Sequence, residues 1–108
     1  MLEGDIHVKK YEPEGLVIFS FVGDFVDPDY IVKSIKPSLK GFKNIVLDVQ
    51  NLEYINSACF GTFYELAAQI EQSKTNVCFL NPNKKFKIIY DSLGASAFFP
   101  VITSLNEL

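Results

Sequence analysis

Apolar positions recur along this chain with two periods, and the change from one to the other marks the elements. Residues 6–11 and 16–22 read as strands, and Glu12-Pro13-Glu14-Gly15 between them supplies the proline and glycine of a turn, so a hairpin is predicted. Asp27-Pro28 then gives an N-cap and a first helical position, followed by Ile31, Val32, Ile35 and Leu39 at helical spacing. Pro37 lacks the amide that would bond the carbonyl of Lys33, so this helix is expected to kink or end near Lys36. Residues 44–49 are almost continuously apolar, the mark of a central parallel strand covered on both faces. From Cys59, the residues Phe60, Phe63, Leu66, Ala67 and Ile70 form one stripe, while Thr62, Glu65, Gln69 and Gln72 fall mostly elsewhere; a second helix follows. Residues 77–80 predict another buried strand. Asn81-Pro82 opens a third helix carrying Phe86, Ile89 and Leu93, with Gly94 as its stop. A short strand over residues 98–102 and a capping box of Ser104 and Glu107, opening a terminal helix, complete the chain. Strands alternating with helices after a hairpin imply an α/β fold, a mixed sheet packed against amphipathic helices, in one domain spanning residues 1–108.

Composition narrows the function. The chain has 108 residues, 48% hydrophobic, with ten lysines, no arginine, 13 carboxylates and a net charge of −3, which argues against direct nucleic-acid binding. Its longest apolar stretch, residues 16–22, falls short of the ~20 residues of a membrane span. The first ten residues, with Glu3, Asp5 and His7, do not read as a secretory signal, so a cytoplasmic location is expected. Cys59, Cys78 and the single histidine, His7, cannot supply the four ligands of a structural zinc site; no metal and no cofactor are expected, the thiols read as buried residues and His7 as a strand or surface residue. A thiol in the first turn of a helix has a second reading, a lowered pKa and a redox role for Cys59.

In parallel sheets, sites form at loops leaving the carboxyl ends of strands, which directs attention to Gln50 through Gly61. Ser57 stands just before a helix. There it can act as an N-cap, and the same free amides and helix dipole would also favour a phosphate attached to it. Local physics leaves both roles open. A nucleophile elbow would need glycines two residues on either side of the serine, where this chain has Ile55 and Cys59, and only His7 could serve as base, so no enzyme is expected. Asp24, Asp27 and Asp29 suit a helix start, and Lys84, Lys85 and Lys87 a solvated face.

The order of elements, the run Ile45-Val46-Leu47-Asp48 and the segment Tyr54-Ile55-Asn56-Ser57-Ala58-Cys59-Phe60-Gly61 resemble the STAS domain, the family of anti-sigma factor antagonists and sulfate-transporter C-terminal domains. Gly23-Asp24-Phe25 looks like a second family landmark, and the Asn81-Pro82 turn sits where members often turn into their third helix. The resemblance implies a STAS-type fold and puts Ser57 at the phosphoacceptor position. The chain departs from the usual Asp-Ser-Ser/Thr-Gly by carrying Asn56, Ala58 and Cys59. Asn keeps the hydrogen-bonding shape of Asp without its charge, and Cys59 gives up the left-handed freedom of glycine.

By that resemblance the chain is a regulatory interaction module. It would bind an anti-sigma factor that is also a serine kinase, with ATP held by that partner, and be switched off by phosphorylation at Ser57. The expected contact residues are Gly23, Asp24, Asn56, Ser57, Ala58, Cys59 and Phe60, and a homodimer stays open. The altered signature supports an alternative, a STAS scaffold subunit of a signalling or lipid-transport complex that does not cycle through phosphorylation. Phe19, Phe21, Phe25, Phe98 and Phe99 gather near strand ends, either as core or as a docking patch.

Overall fold

The computed structural model describes residues 2–70 and 74–108, so Gln72, assigned to the polar stripe, lies outside the described residues. The strands are β1 (Asp5–Tyr11), β2 (Leu16–Phe25), β3 (Asn44–Asp48), β4 (Leu52–Ile55), β5 (Asn76–Leu80) and β6 (Val101–Ile102). The helices are α1 (Pro28–Ile35), α2 (Ser57–Ile70) and α3 (Lys84–Ser92). The sheet order is β1-β2-β3-β5-β6, antiparallel only at the β1–β2 hairpin. β2 outlasts its neighbour: it pairs with β3 through Leu16–Ser20 and then, from Gly23 on, with β4, the register shifting by a bulge between Gly23 and Asp24.

Most of the local signals act as their chemistry suggests. The Asp27 carboxylate accepts the Asp29 N–H, capping α1, and Pro37 converts the end of that helix into a 3-10 turn over Lys36–Ser38. Gly94 adopts φ 66° just beyond α3, the left-handed stop for which glycine is suited. Asn83 rather than Asn81-Pro82 starts α3, its side chain accepting the Phe86 N–H at 2.9 Å. The Ser104–Glu107 capping box forms, but around a single 3-10 turn.

One face of the sheet packs against the helices. Val17, Phe19, Phe21, Ile45, Leu47 and Phe79 meet Ile31 and Ile35 of α1, Phe60, Phe63 and Leu66 of α2, and Phe86 and Tyr90 of α3. On the other face Ile18, Val46, Cys78 and Ile102 make a smaller cluster built from strands alone. β3 is thus central and apolar on both sides, yet among the described residues helices cover only one of them. Among the phenylalanines of the proposed patch, Phe19, Phe21, Phe25 and Phe99 are core, and only Phe98 is exposed. The predicted strand over residues 98–102 shrinks to Val101–Ile102, because a 3-10 turn over Ala95–Ala97 and Pro100 occupy the approach. Thr62, expected among the polar positions, is buried; its hydroxyl donates to the Cys59 carbonyl at 2.6 Å, which satisfies it there.

Candidate functional site

The segment singled out in the sequence lies where β4 ends and α2 begins. β4 runs parallel to the end of β2, with Gly23 beside Leu52, Asp24 beside Tyr54 and Phe25 beside Ile55, so that Phe25 and Val26 are the residues that meet Asn56, and Gly23 and Asp24 lie farther back along the same strand pair. Gly23 makes the arrangement possible. Its φ of 94° at the bulge is a conformation side chains disfavour, and its N–H donates to the carbonyl of Asn51, the residue just before β4, which ties β2 to the start of its second partner.

The helix begins one residue earlier than capping by Ser57 would require. Asn56 is the cap: its Oδ1 accepts the Cys59 N–H at 2.8 Å, and its carbonyl accepts the Phe60 N–H at 3.0 Å. The other end of the same side chain donates from Nδ2 to the Val26 carbonyl at 3.1 Å, and the Asn56 N–H donates to the Phe25 carbonyl at 3.2 Å. Asparagine here does what aspartate could not, accepting at α2 and donating to the β2–α1 connection. Ser57 is therefore the first residue of α2 and is not its cap. It is exposed, and among the described residues its hydroxyl makes no hydrogen bond.

The remaining residues of the predicted contact set divide by orientation. Ala58 is exposed beside Ser57, and Gly23, Asp24 and Asn56 are half-buried. Cys59 and Phe60 are fully buried in the helix-facing core, so in this conformation their side chains offer nothing to a partner. Phe60 packs against Phe63, Phe79 and Phe86 with ring centroids 5.5–6.4 Å apart. The redox reading of Cys59 is overturned as well. Burial, helped by the nearby carboxylates of Glu3 and Asp27, pushes its thiol up to about 11, so withdrawal from water outweighs the helix start. Cys78, in the second cluster, is also pushed up to about 11 by burial. His7 is exposed on β1.

The sequence reading missed two contributors. Glu3 reaches across from the segment before β1, its carboxylate accepting the N–H groups of Val26 (3.0 Å) and Asp27 (3.1 Å). Asn83, the cap of α3, donates from Nδ2 to the carbonyls of Leu52 (2.7 Å) and Gln50 (3.1 Å), fixing the β3–β4 turn. The site's charged side chains are mostly acidic: Glu3, Asp24, Asp27 and Glu53, the last 3.8 Å from Lys85. Tyr54, Val22 and Val26 add exposed apolar surface, with Tyr54 45% exposed. No helix among the described residues is long and apolar enough to cross a membrane.

Solved structures share this architecture. A putative anti-sigma factor antagonist from Thermotoga maritima superposes with a TM-score of 0.82 at 18% identity, covering 94% of this chain and 89% of that one. An anti-sigma factor antagonist from Mycobacterium paratuberculosis gives 0.82 at 13% identity, covering 97% and 90%. The anti-sigma factor antagonist SpoIIAA gives 0.81 in its unphosphorylated form, at 14% identity and covering 95% and 92%; the phosphorylated form, from Bacillus, gives 0.73 at 14%, covering 95% and 96%. No curated protein matches the chain in sequence. At these identities the structural likeness establishes the fold, and the sequence itself establishes the family: the STAS domain model matches residues 7–108, and the chain belongs to the STAS domain family.

Proposed function

We propose that this domain is an anti-sigma factor antagonist that docks on an anti-sigma factor with serine-kinase activity through the surface around Ser57, and that phosphorylation of Ser57 releases it. The observation that carries this reading is the division of labour between neighbours. Asn56 takes the capping hydrogen bond, and the Ser57 hydroxyl stays exposed on the first residue of a 14-residue helix. A hydroxyl so placed can be modified without unmaking the helix. The phosphate it would carry meets the positive end of the α2 dipole. To an approaching partner, however, the phosphate adds about −1.5 to −2 charges to a surface already lined by Asp24, Asp27 and Glu53. The partner that fits this switch therefore covers Ser57, Tyr54, Val22 and Val26 with an apolar contact that holds no cation opposite Ser57, so that the added charge is desolvated without a counter-charge. ATP and the transfer chemistry belong to that partner, and the setting is the cytoplasm. The phosphorylated neighbour SpoIIAA, sharing the fold, supports the same mode.

Phosphopeptide mass spectrometry of the protein from its native cells tests the modification, and binding of the kinase-like partner tests its effect. Ser57→Asp is expected to weaken the complex at least about tenfold, and Ser57→Ala to bind constitutively, since a charge brought into an interface costs more than about 1.4 kcal/mol. Equal affinity across wild type and both variants would count against the switch. Asn56, Ala58 and Cys59, where family members usually carry Asp, Ser or Thr, and Gly, favour one second reading, a STAS scaffold that stays in a stable complex. An absence of phosphate under every growth condition, with elution in a large assembly, would favour it.

A further inference from the structure

The Ser57 site is held from a direction its motif does not announce. Gly4 lies so close to the β2 bulge that a Cβ there would collide with the Val22 carbonyl, and its N–H donates to the Asp24 carbonyl. Only glycine lets the chain lie this flat, and it brings the preceding residue over the β2–α1 connection. Glu3 then accepts two adjacent backbone N–H groups, those of Val26 and Asp27, in charge-assisted bonds at the start of α1. Val26 is gripped on both sides: its N–H by Glu3, its carbonyl by Asn56 Nδ2. The same Asn56 amide caps α2 at Cys59.

We propose that Glu3 is a positioning residue for the Ser57 site: acting through the backbone of Val26 and the side-chain amide of Asn56, it sets where α2 begins and how the Ser57 hydroxyl is presented. The presentation of Ser57 to a kinase rests on the function proposed above, whereas the coupling from Glu3 to Asn56 stands independently of it. The simpler role, a carboxylate serving α1 alone, makes a different prediction, because it ends at Val26 and Asp27.

Amide hydrogen exchange and NMR on the full chain separate the two roles, comparing wild type with Glu3→Ala and Glu3→Gln. Glu3→Ala is expected to speed exchange at Val26, at Asp27 and also at the Cys59 amide, each by about tenfold, and to shift the Asn56 side-chain NH2 resonances. Glu3→Gln keeps an acceptor oxygen and should return most of the protection at Cys59. Loss of protection at Val26 and Asp27 with Cys59 and Asn56 as in wild type would overturn the coupling. A parallel measurement of Ser57 phosphate occupancy in cells tests presentation. A several-fold fall in Glu3→Ala that recovers in Glu3→Gln supports it, and equal, non-zero occupancy in all three chains refutes it. If wild type carries no phosphate, the reading of Ser57 as a phosphoacceptor falls, while the exchange data still decide whether Glu3 governs Asn56.

Discussion

Asn56 and Ser57 are both good capping residues, adjacent in sequence, and stability measurements can tell which of them does the work. Asn56→Ala removes the acceptor for the Cys59 N–H, a loss of about 1 kcal/mol, and the donor to the Val26 carbonyl, about another 1 kcal/mol. Val26 is exposed, so water can take over its carbonyl and little further penalty accrues. The total is about 2 kcal/mol. Ser57→Ala removes a hydroxyl without a hydrogen bond among the described residues, and its effect should stay within about 0.5 kcal/mol. Asn56→Asp keeps the cap and adds charge at the helix start, gaining about 0.5 kcal/mol, but loses the donor, so it should lie within about 1 kcal/mol of wild type. In urea, with a slope of about 2 kcal/mol/M, Asn56→Ala should lower the midpoint by about 1 M while Ser57→Ala leaves it nearly unmoved. If Ser57→Ala lowered the midpoint as far as Asn56→Ala, the assignment of the cap, and with it the free Ser57 hydroxyl, would be wrong.

Four further outcomes follow from groups wholly or partly buried. Both thiols should resist alkylation near pH 8 in the folded protein and react once it is unfolded, because each titrates near 11. Their folded pKa lies above the unfolded value of about 9, so the unfolded state loses its protons first. Stability should therefore fall as pH rises from about 9 to about 11, readable in urea midpoints, and Cys78→Ser should flatten that slope. Asn83→Ala removes the α3 cap and the bonds to the Gln50 and Leu52 carbonyls, and should cost about 2 to 3 kcal/mol by chemical unfolding, with faster amide exchange in the β3–β4 turn. Tyr90→Phe leaves the buried Phe99 carbonyl without its 2.6 Å hydrogen bond, an expected loss of about 1 to 2 kcal/mol in the same assay.

The parts of the fold legible in the sequence are those encoded over one or two turns of chain. The Glu12–Gly15 turn, the Asp27-Pro28 start, the Pro37 stop and Gly94 each act through their own backbone chemistry, and each appears in the structure. β4 was missed because Leu52-Glu53-Tyr54-Ile55 is only four residues long and has no alternation; only its ends are buried, and the strand exists because β2 extends far enough to pair with it. The cap went to the wrong residue for a similar reason. Both candidates suit the role, and the choice is made by the bonds from Asn56 to Phe25 and Val26, thirty residues away in the chain. Cys59 was offered a redox role from its place in the first helical turn, but its burial beneath Ser57 is a property of the packed domain. Glu3 carried no motif at all, and its contribution is visible only once Gly4 is seen lying on the bulge.

β2's succession of partners bears on what kind of signal this domain can send. Because the stretch leading to Ser57 is itself a strand, paired with β2 and pinned from the other side by Asn83, it has little room to swing when its surface is altered. A charge arriving at Ser57 would repaint the electrostatic landscape of a fixed platform instead of refolding it. Information would then pass as fast as a partner can dissociate, with no slow structural relaxation to delay resetting. The domain would behave like a printed label whose ink can change while the paper stays flat.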